Sequence, residues 1–384
     1  MSSNYRNAVI WLGLAHFICD LYGGFLNPIL PFIASKLGFS ISIATILIAI
    51  IQICSNMLQP IFGFFADNIL KRFFIFWGII LASIFIPLAT LAPNVYLLTL
   101  FMILGCLGGS FFHPQSMGFI NIFSKNNASK NMGIFVSLGT AGFAVGPLLA
   151  TYTVQSAGLN KIFYTSILGV IFAFLMFLFV PKLSKIEQKA PYKNFLQSFK
   201  NIFSNLQIRY LMLISMMKSL VTNSSCILLP FLWRSLGHSP LYIGIAIFLF
   251  VFAGAIGSFS SPYIEKIIGS KNVLYISMIG TFPLMILFAF IYKEYHTLSL
   301  LVFALVGFIT MLAQPVTLIW AQKILPEYKS IIAGLVNGFC WGIVALALSF
   351  LGFVSEKFGI INVLIALTLL PVFCSYYIKF LKKY

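Results

Sequence analysis

Four ionisable side chains lie inside long apolar stretches of this chain: His16, Asp20, His113 and Lys218. A charge at the centre of a lipid bilayer costs about 2.5–3.5 kcal/mol on insertion scales, so such groups are retained where they meet a partner or water. These four residues are therefore the first candidates for chemistry.

Asp20 lies one helical turn after His16, and Asn27 follows about two turns later on the same face. A carboxylate beside an imidazole, partly shielded from water, exchanges protons near neutral pH. The spacing favours a proton-coupling site at Asp20, whereas His16 fits a structural hydrogen bond equally well. His113 precedes Pro114 and predicts a polar group at a helix kink, so it is a third candidate for proton coupling.

Lys218 shares a predicted helix face with Thr222. Three interpretations remain open for its ammonium group: an ion pair with Asp20, a ligand for an anionic solute, or a cation that snorkels to the membrane surface. Uncharged polar side chains within the apolar stretches either form hydrogen bonds between packed helices or bind the substrate. The candidates for substrate binding are Lys218, Trp341 and the uncharged polar residues Asn27, Gln52, Asn56, Gln115, Thr222, Gln314 and Asn337.

The elements that position these residues are membrane-spanning helices. Of the 384 residues, 60% are hydrophobic and only 8% are charged, against about 25% charged in soluble domains. Because a helix needs about 20 apolar residues to span a bilayer, the chain divides into twelve spans, near 7–34, 41–66, 73–92, 94–123, 131–156, 161–180, 208–233, 240–264, 272–292, 297–323, 330–353 and 359–378. The fold class is an all-α polytopic membrane protein, and no soluble catalytic domain is left over.

The net charge of +17 marks membrane orientation and not nucleic-acid binding. Of the 24 lysines and arginines, 18 fall in segments on one side of the membrane, which includes both termini. By the positive-inside rule both termini are cytoplasmic. The six cysteines lie within spans and form no CxxC pair, so we expect no metal and no cofactor. The expected partners are the lipid bilayer, a small solute and protons, and the expected state is a monomer.

The two halves of the chain repeat each other. Leu30-Pro31-Phe32 reappears as Leu229-Pro230-Phe231 at an offset of 199, and Gly133 reappears as Gly334 at an offset of 201. A duplicated six-helix unit predicts two pseudo-symmetric bundles with a solute site near the middle of the membrane, as in transporters. We assign residues 1–180 and 208–384 to the bundles. The linker, 181–207, carries a predicted amphipathic helix from Phe195 to Leu206.

The fifth span holds an unusual set of small residues, Gly133, Gly142, Gly146 and then Pro147. Small residues let two membrane helices approach closely, so the stretch predicts either tight packing or a bending gate helix. Its second-half counterpart lacks the Gly-Pro pair. The sequence therefore predicts that the fifth span, more than the eleventh, carries the bend.

A second motif follows the second span, with Gly63, Asp67, Lys71 and Arg72 at fixed spacing. These charges either set membrane topology or form a cytoplasmic latch that holds one conformation.

These motifs resemble those of the major facilitator superfamily. The Gly63 to Arg72 spacing matches its motif A, with departures at Asn68 and Leu70. Gly133, Gly142 and Gly146-Pro147 match motif C, which is associated with drug–proton antiporters, although Ala150-Thr151 replaces its closing glycine pair. The fourth span lacks the arginine of motif B.

Within the superfamily the chain resembles the fosmidomycin resistance group of exporters. The supporting residues are His16-Phe17, Asp20-Leu21-Tyr22, Leu30-Pro31, Gln59-Pro60 and Phe112-His113-Pro114. The resemblance implies a proton-coupled efflux antiporter of the bacterial inner membrane, working by alternating access. An uptake symporter or facilitator for a small anionic solute is the alternative, and a non-transporting membrane receptor is a third class.

Overall fold

The computed structural model describes residues 3–59, 62, 73–124, 128–180, 195–325, 332 and 334–382. Within these residues the chain is helical and contains no strand. The α-helices are α1 (Ser3–Gly23), α2 (Leu26–Leu37), α3 (Ile41–Gln52), α4 (Phe73–Leu88), α5 (Val95–Ser124), α6 (Ala128–Ala157), α7 (Ser166–Phe179), α8 (Phe195–Ser204), α9 (Leu206–Ser235), α10 (Pro240–Ile268), α11 (Ser270–Ile291), α12 (His296–Met311), α13 (Ala313–Ile324), α14 (Cys340–Phe358) and α15 (Ile360–Cys374).

Among the described residues, eleven helical segments are long and apolar enough to cross a membrane, and Ile41–Met57 is a shorter apolar helix. Together they give the twelve predicted spans. The first span is interrupted at Gly24 and Phe25, between α1 and α2, so Asn27 belongs to a different helix from Asp20. Two adjacent glycines, Gly23 and Gly24, explain the break because they favour it over a continuous helix.

Two spans contain a π-helical segment, a wider turn that leaves backbone carbonyls without their usual partner and is frequent at functional sites. One segment, Ile53–Met57, continues α3, and the other, Gly334–Phe339, precedes α14. By contrast, α6 continues as an α-helix through Pro147. The eleventh span thus contains a π segment and α6 does not, while the prediction that the fifth span carries the bend stays a prediction.

The sequence repeat is visible in the backbone. Two pairs of glycines with positive φ are related by the repeat offsets: Gly38 (71°) with Gly237 (80°), and Gly158 (92°) with Gly359 (82°). Because side chains other than glycine rarely adopt these φ values, the turns that follow α2, α6, α9 and α14 use the same solution in both halves.

Two helix N-termini are capped by repeat-related contacts. The Gln155 side-chain oxygen accepts a hydrogen bond from the backbone N–H of Leu241 (3.1 Å), at the start of α10. At the equivalent positions, the Glu356 carboxylate accepts from the backbone N–H of Ser42 (2.8 Å) and from the Ser42 hydroxyl (2.7 Å), at the start of α3. A carboxylate suits this place because the first N–H groups of a helix have no partner within the helix and carry a partial positive charge.

Replacing Glu356 with alanine should therefore destabilise the protein. Loss of an N-terminal cap costs typically about 1 kcal/mol, so we expect a lower melting temperature in detergent. Glu294→Ala is the matched control, since Glu294 lies in the turn that follows α11. Equal melting temperatures for Glu356→Ala and the control would show that the cap contributes nothing.

The chain forms two compact units. The first comprises Met1–Ser40, Leu47–Lys189 and Trp233–Phe248, and the second comprises Ile41–Ile46, Ala190–Leu232 and Leu249–Tyr384. In the first unit α1 packs along α6, and α4 packs along α5. In the second, α11 packs against α12 and α15. Within the predicted linker the structure has one helix, α8, which ends at Ser204, before the predicted Leu206, and its Ile202 is buried in the core of the second unit.

Candidate functional site

The structure brings together three of the four ionisable residues within the first unit. Asp20 lies on α1 between two imidazoles. Its Oδ2 is 3.1 Å from Nε2 of His16, one turn earlier on the same helix, and its Oδ1 is 3.5 Å from Nε2 of His113 on α5. The two imidazole rings meet edge to face at 5.1 Å. One carboxylate therefore faces two imidazole nitrogens.

A hydrogen bond fixes the protonation pattern of His16. Its Nδ1 lies 2.8 Å from the backbone carbonyl oxygen of Phe135 on α6. A carbonyl only accepts, so Nδ1 carries a hydrogen. Nε2 of a neutral His16 would then be an acceptor, facing an ionised Asp20 that also only accepts. The 3.1 Å contact between them needs one additional proton, either on His16 or on Asp20.

The surroundings combine an apolar wall with partial access to solvent. The Phe135 ring stacks on His16 at 4.1 Å, and Phe112 is fully buried beside both histidines. The His16 side chain is 6% exposed, whereas His113 and Asp20 keep 18% and 21%. The shared proton thus lies next to a carboxylate that the protein does not fully enclose.

Small residues of α6 set its distance from α1. A methyl group at Gly139 would overlap the His16 imidazole, and one at Gly142 or Gly146 would overlap the backbone carbonyl of Phe17 or Leu21. Tight packing, the first of the two interpretations of this stretch, therefore describes Gly142 and Gly146, both buried. Pro147 is also buried, and Gly133 lies within α6.

Lys218 lies in the second unit and is 1% exposed. Within the described part of the chain its Nζ has no hydrogen-bond partner, and it lies 5.9 Å from the centre of the Trp341 ring. Burial rules out the snorkelling interpretation. Asp20 is contacted by the two histidines of its own unit.

The other predicted site residues have varied surroundings. The Gln115 side-chain oxygen accepts from the backbone N–H of Ile75 (3.0 Å). Asn56 donates to the carbonyl of Gln52 (3.0 Å), and the Thr222 hydroxyl donates to the carbonyl of Lys218 (3.0 Å). Asn27, Gln52 and Gln314 are half-buried, Asn337 lies in the second π segment, and the predicted latch residues Gly63, Asp67, Lys71 and Arg72 lie outside the described residues.

Sequence reasoning missed two participants. Phe135 contributes through its backbone carbonyl, which leaves no signal in the residue types. Ser110 on α5 donates to the carbonyls of Cys54 (2.6 Å) and Ser55 (2.9 Å) and so satisfies the first π segment. Its position one turn before His113 was the available signal.

The same cluster is the one group in the described part of the chain whose spacing suits a metal ion, with three ligand-capable atoms within 4.8 Å of one another. Three protein ligands would suit a catalytic zinc site with an open position but not a four-ligand structural site, so the ligand count alone does not identify a metal here. We assign no metal to the cluster.

A duplicated bundle of spanning helices with ionisable groups at membrane depth defines a membrane transporter, not an enzyme. Residues 12–349 match the model of the Major Facilitator Superfamily, and the chain belongs to this family.

Relatives and solved structures agree with this assignment. The chain is 24% identical to the fosmidomycin resistance protein of Escherichia coli over 356 residues, which cover 91% of this chain and 86% of the relative. It is 26% identical to the quinolone resistance protein NorA of Staphylococcus aureus over 161 residues, 42% of this chain and 41% of that protein. A bacterial homologue of the human lysosomal transporter Spinster has the same fold, with a TM-score of 0.79, 13% identity, and coverage of 99% of this chain and 97% of that chain. The predicted twelve-helix major facilitator fold is thus confirmed.

Proposed function

We propose that this protein is a proton-coupled efflux antiporter for a drug-like or small amphipathic or anionic solute. The observation that carries the proposal is the additional proton required between His16 and Asp20. Antiport needs a group that holds a proton in one state and gives it up in another, and a partly exposed carboxylate beside two imidazoles has the chemistry for this. Two curated relatives named for drug resistance support the direction of transport.

In the proposed cycle, entry of the proton and entry of the solute exclude each other. Loss of the proton leaves the Nε2 lone pair of His16 against the carboxylate of Asp20, and two acceptors repel. The contact between them opens, while the bond from His16 to Phe135 holds the imidazole against α6. His113 is the second imidazole that stabilises the carboxylate. The charge state of the cluster thereby changes how α1 packs on α5.

We place the protein in the bacterial inner membrane as a monomer with both termini cytoplasmic. The basic residues support this orientation. The glycine-rich stretch of α6 and the Asp67 region remain the proposed gate helix and latch. A reporter that works only in the cytoplasm, fused after residue 384, should be active. A reporter that works only after export, fused at the same place, should be inactive.

The test begins with a susceptibility screen of cells with and without the gene, including fosmidomycin and a quinolone. A compound that the gene protects against is then added to everted vesicles carrying an imposed proton gradient. An antiporter releases protons from the acidic lumen when that compound is added, and a chelator leaves this release unchanged. A wild-type protein that transports the compound without proton movement would contradict the proposal.

A second candidate function is uptake of a small anionic solute. The unpartnered ammonium of Lys218 favours it. Uptake by intact cells that Lys218→Ala abolishes would support import, whereas compound resistance conferred by the gene supports export.

A further inference from the structure

We call His16, Asp20 and His113 the proton cluster. The second unit contains a counterpart of this cluster in which the equivalent positions carry no carboxylate or imidazole. At the repeat offsets of 199 and 201, His16 corresponds to Ser215 and Phe135 to Val336. The contact itself is repeated: the Ser215 hydroxyl donates to the carbonyl of Val336 at 2.8 Å, as His16 Nδ1 does to Phe135 at 2.8 Å. The same pair of repeat-related positions is therefore hydrogen-bonded in both units, although Val336 lies in a π segment and Phe135 in an α-helix.

The remaining members of the cluster are replaced by neutral groups. Asp20 corresponds to Ser219, and His113 corresponds to Gln314. No member of this second centre carries a carboxylate or an imidazole, so it does not exchange protons as the first centre does. What it gains is Lys218, at the position that corresponds to Cys19.

This second centre holds unused hydrogen-bond donors. Lys218 is 1% exposed and Ser219 is fully buried, and neither Lys218 Nζ nor Ser219 Oγ has a hydrogen-bond partner in the described part of the chain. A buried ammonium without a partner is costly, by several kcal/mol, and the cost is recovered by an anion in hydrogen-bond contact. Trp341, at 5.9 Å from the ammonium, provides an aromatic face beside it.

We infer that Lys218 forms an oxyanion subsite, which binds the carboxylate, phosphonate or sulfonate group of a solute while Trp341 packs against the solute's apolar part. The inference rests on the proposed function, since it names the class of solute that would exchange against the proton. The two repeats then have different functions. The centre around Asp20 holds the proton, and the centre around Lys218 binds the solute.

Binding to the purified full-length protein in detergent, measured by titration calorimetry, tests the subsite. The probes are three oxyanions of similar size, benzoate, phenylphosphonate and benzenesulfonate, with benzamide as the neutral counterpart. We expect at least one oxyanion to bind and benzamide to bind at least tenfold more weakly. Failure of all three oxyanions, or equal binding of benzamide, would overturn the inference.

Variants assign the binding to these residues. Lys218→Met should weaken oxyanion binding at least tenfold and should not lower the melting temperature, because the ammonium has no hydrogen-bond partner among the residues that the structure describes. Ser219→Ala should leave binding within about threefold of the wild type, because consecutive residues of a helix do not face each other. Ser224→Ala is the matched control on the same helix, since its hydroxyl donates to Leu220 within α9 (2.6 Å). Unchanged binding in Lys218→Met, or its failure to fold, would contradict the subsite.

The proposed function and the proposed subsite can be contradicted independently of each other. Oxyanion binding that depends on Lys218, without proton release from vesicles, would leave the subsite standing and remove the antiport. Proton release driven by a compound whose binding Lys218→Met leaves unchanged would keep the antiport and remove the subsite.

Discussion

Asp20→Asn is expected to abolish proton-driven transport while the protein remains folded. Asparagine has nearly the same shape as aspartate, and its side-chain N–H groups can donate to Nε2 of His16, so the contact within α1 survives. The amide does not ionise, however, so the proton can no longer be released. We expect the rate of gradient-driven transport in everted vesicles to fall about 100-fold or more, the range that follows removal of a proton-transferring group.

The control for this variant is Glu294→Gln, which neutralises a carboxylate in the turn that follows α11 and should leave transport unchanged. Binding of the transported compound to purified Asp20→Asn should persist. If Asp20→Asn pumps against a gradient at the wild-type rate, Asp20 has no part in coupling.

Gly139→Ala is expected to impair proton coupling, because the added methyl group displaces the imidazole of His16 without changing that residue itself. The added methyl group would overlap the ring of His16. A retreat of α6 from α1 would open the close packing that Gly142 and Gly146 make with the backbone of α1. The bond from His16 Nδ1 to Phe135 then breaks, and the ring no longer meets Asp20. Small misplacements of reacting groups cost up to about 100-fold in rate, so we expect proton release per transported solute to fall by about tenfold.

The matched control is Gly118→Ala on α5, where an added methyl group meets no atom within 4 Å. It introduces the same chemical change into the same unit and should transport like the wild type. Transport by Gly139→Ala at the level of this control would show that the position of His16 is not critical.

The sequence predicted the proton cluster only in part. His16 and Asp20 were linked because a spacing of four residues places side chains together on any helix. The contact of His113 with Asp20 joins two helices, and no spacing along the chain reports the distance between α1 and α5. The Phe135 carbonyl was unpredictable for a further reason, since every residue type offers the same backbone oxygen.

The repeat carried more structural information than the motifs did. The constant offsets relate the positive-φ glycines Gly38 and Gly237 and make Ser215 equivalent to His16. The π segment at Gly334–Phe339 was not predicted, because a π turn arises from local packing that residue types do not report. Burial of Lys218 depends likewise on the helices around α9 and not on its own neighbours in the sequence.

The proposed antiport is tested most directly by counting the proton that His16 and Asp20 share. Purified protein in weakly buffered detergent with a pH indicator is mixed with the compound that the screen identifies, and the released protons are measured. The account predicts about one proton per wild-type protein molecule and none for Asp20→Asn, with Glu294→Gln equal to the wild type. Equal release from wild type and Asp20→Asn, or no release from wild type despite compound binding, would contradict it.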